Sequence, residues 1–410
     1  MSLALYGRLL GRPGVLRLVL VALVARVPNA SLGVIVTLHV VGPLGKGYGQ
    51  AGIVAAAATL GMAIGAPWRG RLVDRLGLRR ALAPSVLIEA AVWTAAPFLS
   101  FEALVGAAAV AGLFMVPVFS VVRQSLAVLV PVEEQRTAFA LDSVCTELTF
   151  MLAPALAVLI ATTWSTTAAL VSVGIATVGA GGLLMWFDPP TSSAAVLARS
   201  AASGEAVDAA PPTGRAFSPA LLVVLLAAAA ASLVLNGTDV SIIAALVEWD
   251  QASSAGWMVA LWAGGSLVGG LVYGAGRRSI HPLVLVLALA LLTIPAAFAD
   301  TPLLLALAVV LAGIPCAPAL SAITAMLVRI VPEHRRGEVM GWNGSAMTVG
   351  AALGAPLCGA LIDRYGAGAG FLAAGLIGTV VAAAGLVALR MFRTRARRAA
   401  AGDRPAVVVG

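Results

Sequence analysis

Apolar residues run through this chain in long blocks, and polar residues are confined to the short intervals between them. A helix crossing ~30 Å of hydrocarbon needs about 20 residues at about 1.5 Å each. Blocks of that length fall at residues 15–41, 49–69, 81–100, 102–123, 136–161 and 164–187, and resume at 218–247, 255–275, 282–299, 301–326, 338–362 and 368–391. The pattern predicts an all-α membrane protein with 12 transmembrane helices in two groups of six, numbered below as spans 1 to 12. The interval between the groups is polar and holds Pro189, Pro190, Pro211 and Pro212, a linker composition. The expected organisation is a six-helix bundle over 1–187, a linker over 188–217, a second bundle over 218–392 and an arginine-rich tail over 393–410. Arg8, Arg12 and Arg17 ahead of span 1 imitate a signal peptide, but the apolar run is too long for one and lacks a cleavage site. It is expected to remain as a span.

Composition agrees and narrows the class. Of 410 residues 60% are hydrophobic and only 11% charged, where a soluble domain carries about 25% charge. Soluble enzymes, disordered chains and fibrous chains are excluded, the last also because the 44 glycines and 22 prolines follow no short period. Of the 26 basic residues all but Lys46 are arginine. With the N-terminus in the cytoplasm, 23 of them fall inside, Lys46 and Arg364 outside, and Arg26 within the membrane. Basic residues mark the cytoplasmic side, so both termini are expected there, in a bacterial inner membrane. The preference for arginine beside abundant Ala, Gly and Val fits a GC-rich genome. The clusters lack interleaved aromatics, which speaks against nucleic acid.

The chemistry of enzymes is missing. The three histidines are scattered, and no His-Glu-x-x-His, Gly-x-Ser-x-Gly or phosphate-cradling glycine loop occurs. Cys145, Cys316 and Cys358 lie in apolar spans and suit small core residues. No metal or cofactor is expected, and energy would come from a gradient rather than from ATP.

The two groups of six repeat one another. At a constant offset of 201, residues 111–131 and 312–332 share Ala111/Ala312, Gly112/Gly313, Pro117/Pro318, Ser120/Ser321, Leu126/Leu327, Val130/Val331 and Pro131/Pro332. Asp142 stands opposite Asn343, and Pro154 meets Pro356 at offset 202. Spans 4–5 therefore match spans 10–11. Parallel repeats of this kind are a carrier architecture with substrate handled near the midplane. Pro117 and Pro318 are expected to kink cavity-lining spans, or merely to aid packing.

Between spans 2 and 3 stands GRLVDRLGLRR, Gly70 to Arg80. It resembles the signature loop of the major facilitator superfamily in the position which that family requires. Gly70, Leu72, Asp74, Arg75, Gly77, Arg79 and Arg80 fit, and Leu78 departs. A carboxylate suits a helix N-terminus. The resemblance implies that Asp74 meets the start of span 11 near Gly337–Gly341, with Arg75, Arg79 and Arg80 clamping a cytoplasmic gate. The counterpart GGLVYGAGRRS, Gly269 to Ser279, has no aspartate, which predicts unequal gates. Drug–proton exchangers of the family carry an arginine within span 4. Here none occurs before Arg123, and span 5 keeps Pro154 without the usual glycines.

Ionisable residues inside spans are costly and mark pathways. They are Arg26, Glu89, Asp142, Glu147 and Asp239, with Asn236 near the last. Arg26 and Glu147 share a depth of about 16 Å, and the resemblance makes spans 1 and 5 neighbours. An Arg26–Glu147 pair is expected, with Asp142 as the alternative partner. The pair would either hold the two helices together or carry protons. Burial favours a protonated carboxyl and a nearby cation an ionised one. The resemblance places Asn236 and Asp239 of span 7 on the central cavity, or in a buried cluster, and gives span 3, with Glu89, a lipid or packing face.

The expectation is a monomeric carrier that exports a small neutral or lipophilic molecule in exchange for protons by alternating access. A sugar or amino-acid carrier of the same superfamily and a transport-inactive sensor or assembly partner are the alternatives.

Overall fold

The computed structural model describes residues 4–46, 48–191, 219–251, 254–276 and 279–402. It is all-helical, with no strand among the described residues. A short α1 (Ala4–Leu10) precedes α2 (Val15–Val41), α3 (Tyr48–Leu76), α4 (Leu78–Ala95), α5 (Phe101–Phe114), α6 (Val118–Leu129), α7 (Gln135–Thr163) and α8 (Thr166–Phe187). The second half holds α9 (Pro219–Glu248), α10 (Ala255–Ala275), α11 (Pro282–Thr293), α12 (Pro302–Gly313), α13 (Cys316–Ile330), α14 (Arg336–Tyr365) and α15 (Ala367–Gly402).

Eleven segments among the described residues are long and apolar enough to cross a membrane. The remaining predicted span, span 9, is a shorter apolar helix, Pro282–Phe298. Pro295 turns its last residues, Ile294–Phe298, into a 3-10 helix, because proline cannot donate the bond that an α-helix needs. The predicted linker lies outside the described residues from 192 onward, as does the tail from 403. Up to Gly402 the predicted tail continues α15.

Spans 4 and 10 are each broken into two helices. Span 4 breaks at Met115–Pro117, with Pro117 at the N-cap of α6. Span 10 breaks at Ile314–Pro315, so Pro318 lies in the first turn of α13 rather than at a kink. A first-turn proline is tolerated because its missing N–H would have no helical partner there. Pro28, Pro67, Pro84, Pro154 and Pro356 sit inside unbroken helices, which neighbouring helices can support.

Packing repeats across the halves. In the first, α2 lies against α7 and α8, α3 against α5, and α4 against α8. In the second, α9 lies against α14 and α15, α10 against α12, and α11 against α15. The halves meet through α3 with α14, α7 with α10 and α13, and α6 with α14. The outer rim exposes large apolar side chains such as Ile64, Leu87, Leu156 and Val380. Water does not tolerate so extended an apolar patch, whereas lipid tails cover it.

Candidate functional site

The bundle has one arginine-rich end, where α3 meets α4. Gly77 makes that turn at φ +78°, a conformation that residues with a β-carbon rarely adopt. Asp74, one turn earlier, reaches into the other half. Its Oδ1 accepts from the Gly337 amide at 3.0 Å and its Oδ2 from the Glu338 amide at 3.0 Å. The first turn of α14 has no side-chain cap of its own, so Asp74 supplies one in trans and places a negative charge at the positive helix end. Gly70 and Gly337 permit the approach, since a β-carbon on either would overlap the other's carbonyl.

The arginines divide differently from expectation. Arg71, not singled out from the sequence, pairs with Glu338 across the halves at 3.1 Å, and Arg335 holds the same carboxylate at 2.9 Å. Arg79 instead stays in its own half, on the Met185 carbonyl at 2.9 Å and on Asp188 at 3.4 Å. Arg75 lines a cleft of about 760 Å³ with Arg71, Asp74, His334, Arg335 and Glu338. Arg80 is exposed. Of the three arginines proposed as a clamp, none forms an ion pair with the second half among the described residues.

At the pseudo-equivalent contact Tyr273 occupies the position of Asp74, and the Arg136 guanidinium lies 5.5 Å over its ring. Thr137 Oγ1 donates to the Gly274 carbonyl at 2.6 Å, and Tyr6 Oη donates to that of Leu271 at 2.9 Å. The second contact therefore replaces carboxylate capping by a cation over a ring and recruits α1. Nearby, Arg12 pairs with Glu134 at 2.7 Å, and that hydrogen bond holds the Glu134 carboxyl below the usual carboxylate range.

Glu89 has a definite task that its span did not announce. Its Oε2 accepts from the Val116 amide at 2.8 Å, and Arg69 donates to the carbonyls of Gly112 and Met115. The broken span 4 frees these backbone groups, and two charged side chains, each only 3% exposed, satisfy them.

Arg26 bonds to Asp142, not to Glu147. Asp142 Oδ2 also meets Arg123 at 3.3 Å, and the Arg26 guanidinium stacks 5.0 Å over Phe119. All three charges are buried, two cations about one carboxylate. Asp142 and Glu147 are five residues apart on α7, which turns them about 140° from each other. One faces α2 and α6; the other faces the second half.

Glu147 Oε1 accepts from Ser266 Oγ of α10 and from Cys316 Sγ of α13, the latter at 3.9 Å. Ser266 Oγ in turn accepts from the Ala317 amide at 3.1 Å. The carboxylate thus steadies the N-terminus of the half-helix α13 from across the interface. Its Oε2 is buried without a partner, and no cation pairs with it among the described residues. From the arginine-rich end, the bonds between α7 and the second half run Thr137–Gly274, Phe139–Ser321, Ser143–Ser321 and Glu147–Ser266. Glu147 is the last rung. Asn236 is bonded to its own helix at the Ser232 carbonyl, 2.8 Å away. Asp239 lies deep in the bundle yet partly exposed. Pro117 is partly exposed and Pro318 buried.

No curated protein matches the chain. Among solved structures, the human organic anion transporter MFSD10 superposes with a TM-score of 0.70 at 18% identity, over 90% of this chain and 99% of its own. A bacterial homologue of the iron transporter ferroportin, in an outward-facing state, gives 0.71 at 17%, over 91% and 99%. The proton:xylose symporter XylE gives 0.65 at 13%, over 90% and 94%. At these identities the likeness is one of fold. The family model described as Major Facilitator Superfamily matches residues 18–275 and again 229–409. With the Asp74 cap, the repeated halves and matches spanning both, the chain belongs to the major facilitator superfamily.

Proposed function

We propose that this chain is a proton-coupled exporter, moving a small, partly apolar molecule outward by alternating access while protons move inward. The arginine-rich end is then cytoplasmic, as the side on which basic residues are retained. The contacts between the halves belong to a state closed on that side and facing outward. The observation that carries the reading is Glu147, a carboxylate of one half bonded to two side chains of the other, with one oxygen unpartnered.

An ionised Glu147 accepts hydrogen bonds strongly, since charge roughly doubles their strength. It also lies near the positive end of α13. Protonation on Oε2 weakens this link and favours opening of the cytoplasmic side. Arg26 and Arg123 are committed to Asp142, which leaves Glu147 free to titrate. The Arg26–Asp142 pair is then a structural tie between α2 and α7. Movement is driven by the proton gradient, and Asp74 with Arg71 sets how firmly the cytoplasmic side closes.

The test is proton flux in proteoliposomes carrying a pH-sensitive dye, on addition of a panel of amphiphilic compounds. Compound-dependent flux in the wild type and its loss in Glu147→Gln are expected. Flux that persists in Glu147→Gln would remove Glu147 as the proton carrier.

A further inference from the structure

The two contacts between the halves at the arginine-rich end are built in opposite senses. At the first, α3 offers acceptors, and the Asp74 carboxylate takes the Gly337 and Glu338 amides at the N-terminus of α14. At the second, the first half offers donors to the C-terminal end of α10. Thr137 Oγ1 donates to the Gly274 carbonyl at 2.6 Å, and Tyr6 Oη to the Leu271 carbonyl at 2.9 Å, with the Gly270 carbonyl 3.5 Å away. A helix C-terminus carries unpaired carbonyls and partial negative charge. Hydroxyl donors, with the Arg136 cation over Tyr273, are the groups that suit it. One of those donors comes from outside the six spans, on α1.

The segment that carries Tyr6 is fastened to the first half. Leu9 is 1% exposed, in the hydrophobic core that includes Val15 and Leu18 of α2. Arg12, just past α1, holds Glu134 through two hydrogen bonds, at 2.7 and 3.0 Å, and α1 packs on α7 and α2. Tyr6 itself is 7% exposed, seated where Gly274 makes room, since a β-carbon there would overlap the Tyr6 hydroxyl. Burial pushes the Tyr6 phenol up to about 12, against the pull of Arg136, so the hydroxyl keeps its proton and stays a donor. One short helix thus has its body on the first half and its hydroxyl on the second.

We propose that α1 is a latch on the arginine-rich end, which cannot open until the Tyr6 hydroxyl leaves the Leu271 carbonyl. The latch rests on the alternating-access reading, but not on Glu147 as the proton carrier. It takes the place of the aspartate that the second contact lacks. The bond is made by an uncharged donor and an uncharged acceptor, about half as strong as one made by a carboxylate. Loss of the Tyr6 hydroxyl therefore releases this end less than loss of Asp74 does. Because the halves move as bodies, a tie lost at the second contact is felt at the first and at the far end of the bundle.

The test places a cysteine at Arg335, beside the Asp74 contact rather than the Tyr6 one, and follows its alkylation in the purified full chain, with the chain lacking that cysteine as the blank. Tyr6→Phe keeps the ring and removes only the hydroxyl. It is expected to accelerate the reaction about 2–10-fold, less than Asp74→Ala does. In the same variant, the distance between spin labels at Lys46 and Asp250, at the other end of the bundle, should shift toward its shorter population. Local loosening of α1 would move neither readout. The latch is overturned if Asp74→Ala accelerates alkylation while Tyr6→Phe leaves either the rate or the label distance unchanged. If neither substitution accelerates alkylation, the alternating-access reading fails, and the latch with it.

Discussion

Asp74 and Gly337 come from opposite halves of the chain and together complete one helix end, with Asp74 Oδ1 accepting the Gly337 amide at 3.0 Å. A carboxylate cap at a helix N-terminus contributes about 1–2 kcal/mol. Asp74→Ala is therefore expected to shift the balance away from the state closed at the arginine-rich end by about 5–30-fold. Alkylation of a cysteine introduced at Arg335 should accelerate accordingly, because Arg335 lines the cleft beside the cap. An unchanged rate would show that Asp74 does not hold this side shut.

Arg69 and Glu89 hold the two sides of the break in span 4. Removing either strands the buried backbone groups that it satisfies, a loss of about 1–3 kcal/mol. Arg69→Met and Glu89→Gln are each expected to lower the thermal unfolding midpoint in detergent. The double variant should lose less than the sum of the two. Strict additivity would show that the two charges do not act together.

The Arg26, Arg123 and Asp142 cluster predicts an order. Arg123→Met leaves a balanced Arg26–Asp142 pair. Asp142→Asn leaves two guanidinium groups facing a neutral amide, and is expected to destabilise by at least about 2 kcal/mol more. Chemical unfolding of both variants decides this, and a milder loss for Asp142→Asn would contradict the assignment of Asp142 as the shared counter-charge.

The architecture was legible because burial in lipid leaves a strong, periodic trace: the spans, the repeat at 201 residues and the signature loop can all be read from residue types alone. What the sequence concealed was direction around a helix. Depth arithmetic put Arg26 level with Glu147, but pairing depends on azimuth as well, and Asp142 faces Arg26 while Glu147 is turned about 140° away. Glu89 was undervalued for a similar reason. Its partner is a backbone amide at Val116, and a main-chain group freed by a helix break leaves no side-chain signal beyond the nearby Pro117. Arg71 was hidden inside a recognised motif, and the Tyr6 contact required α1, a helix too short for hydropathy to announce.

The central claim is that protonation of Glu147 releases the link between the halves. Its most direct measurement is the distance between spin labels at Lys46 and Asp250, near the ends of α2 and α9 remote from the arginine-rich end, followed by pulsed electron resonance across pH. In the wild type, acidification is expected to shorten this distance as that end closes. Glu147→Gln, a permanently uncharged side chain, should hold the short distance at every pH. A Glu147→Gln protein that tracks the wild type from the long distance to the short one would contradict the account.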